Sequence, residues 1–349
     1  GVEEENQMVT IKDVARDAGV SVGTVSNVLN GGRVSEARRK LVEASIEKLG
    51  YQVNTLAKGM RMQKTDYVVV ILPNLINPYF ALLLDALESE LSAVGKQVLL
   101  CLSGDDAERE VAFMDMAKQN KVDGIIGVTY SKVEEERIEN MAFVSIDRHY
   151  KSHIPCVAGD NWQGGWLAAE NLHKRGSTNL LCFMTMSSVD SEVRKRRVGF
   201  TEYCMEHDLS CNSVEMSEKQ IVSVYESYGS RKLIHNMLRA YISPSMGEHS
   251  IDGIFTSSDH LATIVREELE EMGKRVPEDI QIIGYDGLQF LNQGKPIVSS
   301  IAQPVHEIAK EAVRCLNELI ANGKTEGNTK IPVSFQEGST TKTLVTEEK

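Results

Sequence analysis

The sequence predicts a small all-α head followed by a larger α/β core built on two parallel sheets. Short capped helical segments fill residues 10–51. From Tyr67 onward, β-branched runs alternate with amphipathic helices, and after a helix over Asp160–Arg175 the alternation starts again. Each half therefore reads as its own βαβα unit, because parallel strands need crossover helices. At 349 residues the chain is too long for one compact core.

In the head, Thr10 is placed to cap a helix over Ile11–Ala18, with Asp13 at its third position and Gly19 as its stop. Ser21 caps Val22–Leu29, which Asn30-Gly31-Gly32 ends. Ser35 caps a longer third helix that closes at Gly50 and carries Leu41, Val42, Ile46 and Leu49 on one face. Two short helices joined by a glycine-containing turn make a helix-turn-helix unit. Asn54–Arg61 has room for only two helical turns and includes Gly59, so it reads as a linker that folds on a partner.

In the core, strands are expected at 67–72, 97–102, 123–128 and 142–147, then at 179–186, 213–216, 252–257 and 280–285. Two last strands, 298–302 and 331–335, return to the two halves in turn. The division that follows is a head over 8–53, a linker over 54–66, a first core half of 67–160 with 295–323, and a second of 161–294 with 324–343. Ligands of open parallel sheets bind beyond the carboxyl ends of the strands, so two such sheets facing each other make a cleft.

Charge sharpens the division. The chain carries a net −12, yet residues 8–64 hold ten Lys/Arg against five acids. A basic head on an acidic body concentrates the attraction for phosphate in one place. The six cysteines, at 101, 156, 182, 204, 211 and 315, form no CxxC pair and fit free thiols in a reducing cytoplasm. The longest apolar run, Tyr67–Leu72, is far short of the ~18 residues of a membrane span. Gly1–Gln7 is acidic and lacks the apolar stretch of a secretory signal, and Met8 reads as a start. There is no Walker loop, GxSxG, HExxH or zinc spacing, so no catalysis, cofactor or metal is expected. A secreted solute-binding protein would share the core but leave the head unexplained.

Several motifs follow one another in a specific order. The head reads Thr10-Ile-Lys-Asp-Val-Ala15 and Gly19-Val-Ser-Val-Gly-Thr-Val-Ser-Asn-Val-Leu-Asn30, and the linker runs from Asn54 to Met60. The core carries Asn77-Pro-Tyr-Phe80, Ile146-Asp-Arg148, Asp160-Asn161 with Gly164-Gly165, and Arg196-Arg-Val-Gly-Phe200. It continues with Ser258-Asp259, Val276-Pro-Glu-Asp-Ile280, Ile283-Gly-Tyr-Asp286 and Gln303-Pro304. With these motifs the chain resembles the lactose-repressor (LacI/GalR) family from Met8 to about Thr341.

The resemblance implies a homodimeric regulator, a repressor above all, that binds double-stranded operator DNA. It also implies a periplasmic-binding-protein-like core of two Rossmann-like subdomains that senses a small molecule, often a sugar; some relatives answer to a protein co-regulator. By similarity, Val22, Gly23 and Asn27 read bases. Asn27 is suited to adenine and Val22 to a thymine methyl, while Gly23 contributes no hydrogen bond. Thr10, Ser21, Thr24 and Asn30 are candidate phosphate contacts. The family's linker usually ends Ala-Arg-Ser-Leu, whose leucine wedges into the minor groove; here it is Ala57-Lys58-Gly59-Met60. Met60 takes the wedge position, with Lys58 and Arg61 beside it for phosphate. The family's Arg-x-Ser-Thr ending is replaced by Glu337-Gly-Ser-Thr340.

Strand ends supply the effector candidates. Tyr79 and Phe80 follow the first strand, and Asp147 and Arg148 the fourth. Asp190 and Arg196 sit at the entry to the second half's first helix, with Arg197 as the alternative register. Ser258 precedes a helix, Asp286 follows the Ile-Gly-Tyr run, Gln303 lies at a crossover, and Tyr225 or Tyr228 closes the pocket. Carboxylates accept hydroxyl hydrogen bonds and guanidinium donates them, so this set favours a sugar or polyol over a purine.

Overall fold

A computed structural model describes every residue except 1–8, 52–64, 133–136, 139, 151–152, 188, 243–249, 289–290, 293–294 and 345–349. The linker residues Ala57, Lys58, Met60 and Arg61 therefore lie outside the described residues. The chain divides into a head unit ending at Thr65 and a core unit beginning at Asp66.

The head is three helices, α1 (Ile11–Asp17), α2 (Val22–Leu29) and α3 (Glu36–Leu49). Thr10 donates from its backbone N and its Oγ1 to the Asp13 carboxylate at 3.0 and 2.6 Å. Ser21 Oγ accepts from the Thr24 N–H at 3.1 Å. Both α1 and α2 thus start where a side chain satisfies a free N-terminal donor. Gly50 ends α3 in the left-handed region at φ 62°, where a Cβ would be strained. Val14, Val25, Val28 and Val42 meet in the centre. Leu41, expected on the same face as Val42, is 55% exposed. The buried stripe follows Val42, Ile46 and Leu49, and Leu41 lies about 100° off it at the helical repeat.

The core begins with β1 (Tyr67–Leu72), α4 (Pro78–Ala93), β2 (Gln97–Leu102), α5 (Ala107–Gln119), β3 (Gly124–Gly127), β4 (Phe143–Ile146) and β5 (Cys156–Gly159). The chain then crosses through α6 (Asn161–Lys174) to β6 (Asn179–Met186), α7 (Arg194–Glu206), β7 (Ser210–Ser217), α8 (Glu218–Glu226) and α9 (Lys232–Ile242). It continues with β8 (Gly253–Thr256), α10 (Asp259–Glu271) and β9 (Gln281–Asp286). A small antiparallel ladder of β10 (Leu291–Asn292) and β11 (Lys295–Pro296) precedes β12 (Ser299–Ala302), α11 (Val305–Asn322), β13 (Thr329–Ile331) and β14 (Ser334–Gln336).

The first sheet has the order β13-β5-β4-β3-β1-β2 and the second β14-β12-β9-β8-β6-β7. The two orders map onto one another strand for strand, so β4 and β9 hold the same place in their halves. β1, β3, β4, β8 and β9 are buried almost throughout because helices cover both faces, hence their continuous apolar runs. The expected return of strand 298–302 to the first half is not what the structure has. β12 pairs with β9 in the second sheet, and the chain goes back to the first half through α11, which packs on α4 and the first sheet, and β13. The expected strand 331–335 is two strands: β13 pairs with β5 and β14 with β12. Pro332 falls between them, where a missing N–H interrupts a ladder. β5, whose four residues Cys-Val-Ala-Gly carry weak strand character, is an addition to the expected set.

The six cysteines are free, and Cys211 alone among them is not fully buried. No described helix is long and apolar enough to cross a membrane. Where the family places an arginine, Glu337 accepts from Arg175 at 3.4 Å, and that guanidinium also covers the Phe335 ring.

Candidate functional site

In the head, α2 turns its apolar side, Val25 and Val28, inward, which leaves Val22, Gly23 and Asn27 exposed on one surface. This is the face a recognition helix offers to a major groove. Around it, the Ser21 and Thr24 hydroxyls lie 2.9 Å apart and the Asn30 carboxamide donates to Ser26 Oγ at 3.3 Å. Thr10 is spent on Asp13 as described. All four hydroxyl or amide groups remain at the surface or near it, each already oriented by a local bond.

In the core, β4 and β9 end at the facing edges of the two sheets, and Asp147 and Asp286 come directly at those ends. Both depart from ordinary strand backbone, with φ 61° at Asp147 and 113° at Asp286. Between them lies Arg196 from the first turn of α7. Its Nε donates to Asn161 Oδ1 at 2.6 Å and its Nη1 to the Ser257 carbonyl at 2.8 Å, and the guanidinium lies 3.6 Å over the Tyr285 ring. Asn161 Nδ2 in turn donates to the Gly159 carbonyl at 2.9 Å and reaches Asp147 Oδ1 at 3.5 Å. Gln303 spans the cleft, donating to Asp286 Oδ1 at 2.8 Å and accepting from the Tyr79 hydroxyl at 3.4 Å. Asp147, Arg196, Asp286 and Gln303 are all more than nine-tenths buried.

Burial dominates the electrostatics. It pushes Asp147 up to about 6 and Asp286 up to about 7, against the opposing pull of Arg196 on both. Gln303 and Asn77 further favour the ionised Asp286. Burial also raises Tyr79 well above an ordinary phenol. Two half-committed acids facing one fixed cation form a site poised to accept hydrogen bonds from neutral hydroxyls.

The cleft encloses about 750 Å³ including its open mouth, and Tyr79, Phe80, Asp147, Arg196, Ser258, Asp286 and Gln303 line it. Two expected residues do not. Arg148 turns away, donating to the Ser131 carbonyl at 2.6 Å and covering the Tyr150 ring. The left-handed backbone at Asp147 turns the chain after β4, and Arg148 leaves toward Ser131 and not into the cleft. Asp190 is exposed on the loop before α7 and is not among the lining residues. Arg197 pairs with Glu215 on the surface, leaving Arg196 as the cleft residue. Of the two tyrosines, Tyr225 lines the cleft and its hydroxyl lies 3.2 Å from Ser258 Oγ; Tyr228 is 67% exposed and donates to Glu271. Ser258 also caps α10, accepting from the Leu261 N–H at 3.1 Å.

Sequence reasoning missed Asn74, Asn77, Tyr130 and Arg194 of the lining, and the element that carries Tyr225. That element, α8, had a readable signal. Ser217 and Gln220 form a capping box, with Gln220 N donating to Ser217 Oγ at 3.3 Å and Ser217 N to Gln220 Oε1 at 2.9 Å. Arg194 donates to the Ser187 carbonyl at 2.9 Å, two residues before Arg196 on the same helix.

Residues 10–54 match the family of bacterial regulatory proteins, lacI family, and residues 169–341 match the periplasmic binding protein-like domain. The sucrose operon repressor of Pediococcus pentosaceus is 32% identical over 334 residues, covering 95% of this chain and 98% of that one. Among solved structures, a periplasmic binding protein/LacI transcriptional regulator from Alkaliphilus metalliredigens complexed with D-xylulofuranose is 25% identical. It has a TM-score of 0.67 and covers 80% of this chain and 100% of that one. The Lac repressor dimer bound to operator shares the fold, with a TM-score of 0.77 at 22% identity over 96% of this chain and 99% of that one. A capped helix-turn-helix head, a two-sheet core with a buried acid–arginine cleft and this full-length likeness agree: the chain belongs to the LacI family of DNA-binding bacterial transcription regulators.

Proposed function

We propose that the chain is a repressor that binds a two-fold operator as a homodimer, and that a neutral sugar or polyol in the core cleft sets its operator affinity. The observation that carries the effector half of this reading is the buried Asp147–Arg196–Asp286 set. With Arg194 counted, two arginines face two acids in the lining and, among the described residues, no lysine joins them, which suits an uncharged polyhydroxylated ligand better than a sugar phosphate. The Tyr79, Phe80, Tyr130 and Tyr225 rings offer flat apolar faces for the C–H surfaces of a sugar. Relatives point the same way: one is named for the sucrose operon and another structure holds D-xylulofuranose. Relatives named as operon repressors support reading the core as a sensor of that ligand. The linker over 54–66 is the segment through which cleft occupancy would reach the head.

The test is operator binding by the full chain with and without monosaccharides, disaccharides and their phosphates. Affinity for a near-palindromic duplex falls steeply with salt, since phosphate neutralisation releases counterions. A neutral sugar shifts it while the phosphorylated form does not. Salt-independent binding, or a response confined to sugar phosphates, contradicts the reading.

Two expected results follow from named residues. Asn27→Ala costs roughly 1–3 kcal/mol of operator binding and relaxes preference at one base pair per half-site. An equal loss on every sequence would instead place Asn27 on the backbone. The second concerns pH. Only the ionised Asp286 accepts two hydroxyl hydrogen bonds, and in the free protein it titrates at about 7. Sugar binding therefore releases a proton below that value, and affinity rises with pH through 7 before levelling. Asp286→Asn keeps an acceptor for Gln303, weakens binding and removes the part of this dependence centred near 7, leaving what Asp147 contributes near 6. Calorimetry at pH 5.5, 7 and 8.5 reads it, and a parent whose affinity is flat over that range refutes the assignment.

A further inference from the structure

α10 carries four glutamates in two turns, Glu267, Glu268, Glu270 and Glu271. Two of them have cations: Glu267 pairs with Arg231 and Glu270 with Arg266, the latter at 2.8 Å. The other two face α9. Glu268 is 4% exposed, and its Oε2 lies 3.1 Å from His235 Nδ1. Glu271, one turn further on the same side, accepts from the Tyr228 hydroxyl at 2.6 Å. One ligand atom each from His235, Glu268 and Glu271 lies within 4.8 Å of the other two. Among the described residues, no Lys or Arg ion pair is recorded for Glu268 or Glu271.

We propose that His235, Glu268 and Glu271 form a divalent transition-metal site, with Zn²⁺ as the ion of best fit. A buried carboxylate favours a countercharge, and among the described residues Glu268 has the His235 ring beside it and no lysine or arginine. A divalent ion neutralises both carboxylates at once. The donor set of one imidazole nitrogen and two carboxylate oxygens is a three-ligand zinc set with a fourth position for water. Tetrahedral bonds of about 2.0–2.1 Å place ligand atoms about 3.3 Å apart. His235 and Glu268 already stand at that separation, and Glu271 needs only a rotamer-scale movement from an exposed position. The ion would fasten α9 to α10, next to the turn after α8 and thus behind the cleft wall that carries Tyr225. The ligands come from two helices more than thirty residues apart, so no sequence spacing announces them.

The test uses the full chain, stripped with a chelator and titrated with Zn²⁺ against a chromophoric competitor. One ion per chain binds and raises the melting temperature. His235→Ala and Glu271→Gln each lower Zn²⁺ affinity by roughly tenfold or more, with unchanged far-ultraviolet circular dichroism. Because Glu271 is exposed, its variant folds even if the other does not. Co²⁺ in the same site gives visible ligand-field bands without a near-ultraviolet thiolate band, which separates it from the partly exposed Cys211. No uptake by the parent, a thiolate band, or unchanged affinity in Glu271→Gln overturns the proposal.

Discussion

Arg196→Ala abolishes the response to effector and costs the free protein roughly 3–5 kcal/mol, the loss that follows when one member of a buried charge set is removed. Among the described residues, Arg196 is the cation that pulls on both Asp147 and Asp286, and it also holds Asn161 and the Ser257 carbonyl. Without it, both acids rise further above their parental values of about 6 and about 7. A buried acid whose folded value is raised contributes full stability below its unfolded value of 3.8, and that stability is lost as pH climbs to the folded value. In the variant the loss continues to higher pH than in the parent. The gap between the two proteins is therefore small near pH 5 and opens above pH 6–7. Denaturant titrations at pH 5 and pH 8 measure it, and calorimetry with the best sugar measures the binding loss. Equal destabilisation at both pH values, with ligand binding retained, would mean that Arg196 is only a packing residue.

Much of this site was legible because parallel sheets put their ligand edge at one place in the sequence, the residue after each strand. Asp147 and Asp286 follow from that rule alone, and the mapping of β4 onto β9 puts them at equivalent places in the two halves. The rule fixes position but not direction. It therefore admitted Arg148, whose side chain leaves on the opposite side, and Asp190, which a loop turns to solvent. Arg196 and Arg197 were indistinguishable until α7 fixed its rotation over the second sheet. Tyr225 could not be told from Tyr228 for another reason. It enters from α8, a helix after an edge strand, β7, whose exposed residues hide the strand's length from hydropathy. The second crossover failed on the chemistry of a single residue, since the Pro332 interruption divides one apparent strand between two sheets. In the head, the caps of α1 and α2 and the glycine stops made the helices legible, because there the signals are local and the connections are short; Ser35 precedes α3 but makes no side-chain cap bond.

Gly165→Ala is expected to be more damaging than most changes in the hydrophobic core, although alanine is the better helix former by about 1 kcal/mol. Gly165 and Gly199 have ordinary helical backbone, so neither is glycine for its conformational freedom. They are glycines because α6 and α7 cross with their backbones in contact. A Cβ on Gly165 would stand 1.8 Å from the Arg196 carbonyl oxygen and 2.8 Å from the Phe200 nitrogen. One on Gly199 would stand 2.0 Å from the Trp162 carbonyl oxygen. The obstacles are main chain, so no rotamer change relieves them, and one helix has to move by more than an ångström. Overpacking against side chains costs typically 1–3 kcal/mol; a backbone collision exceeds that range, and we expect a loss above about 3 kcal/mol. The displaced segment is the turn of α7 that carries Arg196, with the Asn161 contact at its side. Any protein that still folds should thus lose effector binding along with stability, although Gly165 itself does not line the cleft. Gly327→Ala, whose Cβ would meet open space, is the control and should be close to neutral. Denaturant midpoints and sugar calorimetry on the two variants and the parent decide the matter: a Gly165→Ala protein of parental stability would show that the α6–α7 contact is looser than this structure has it.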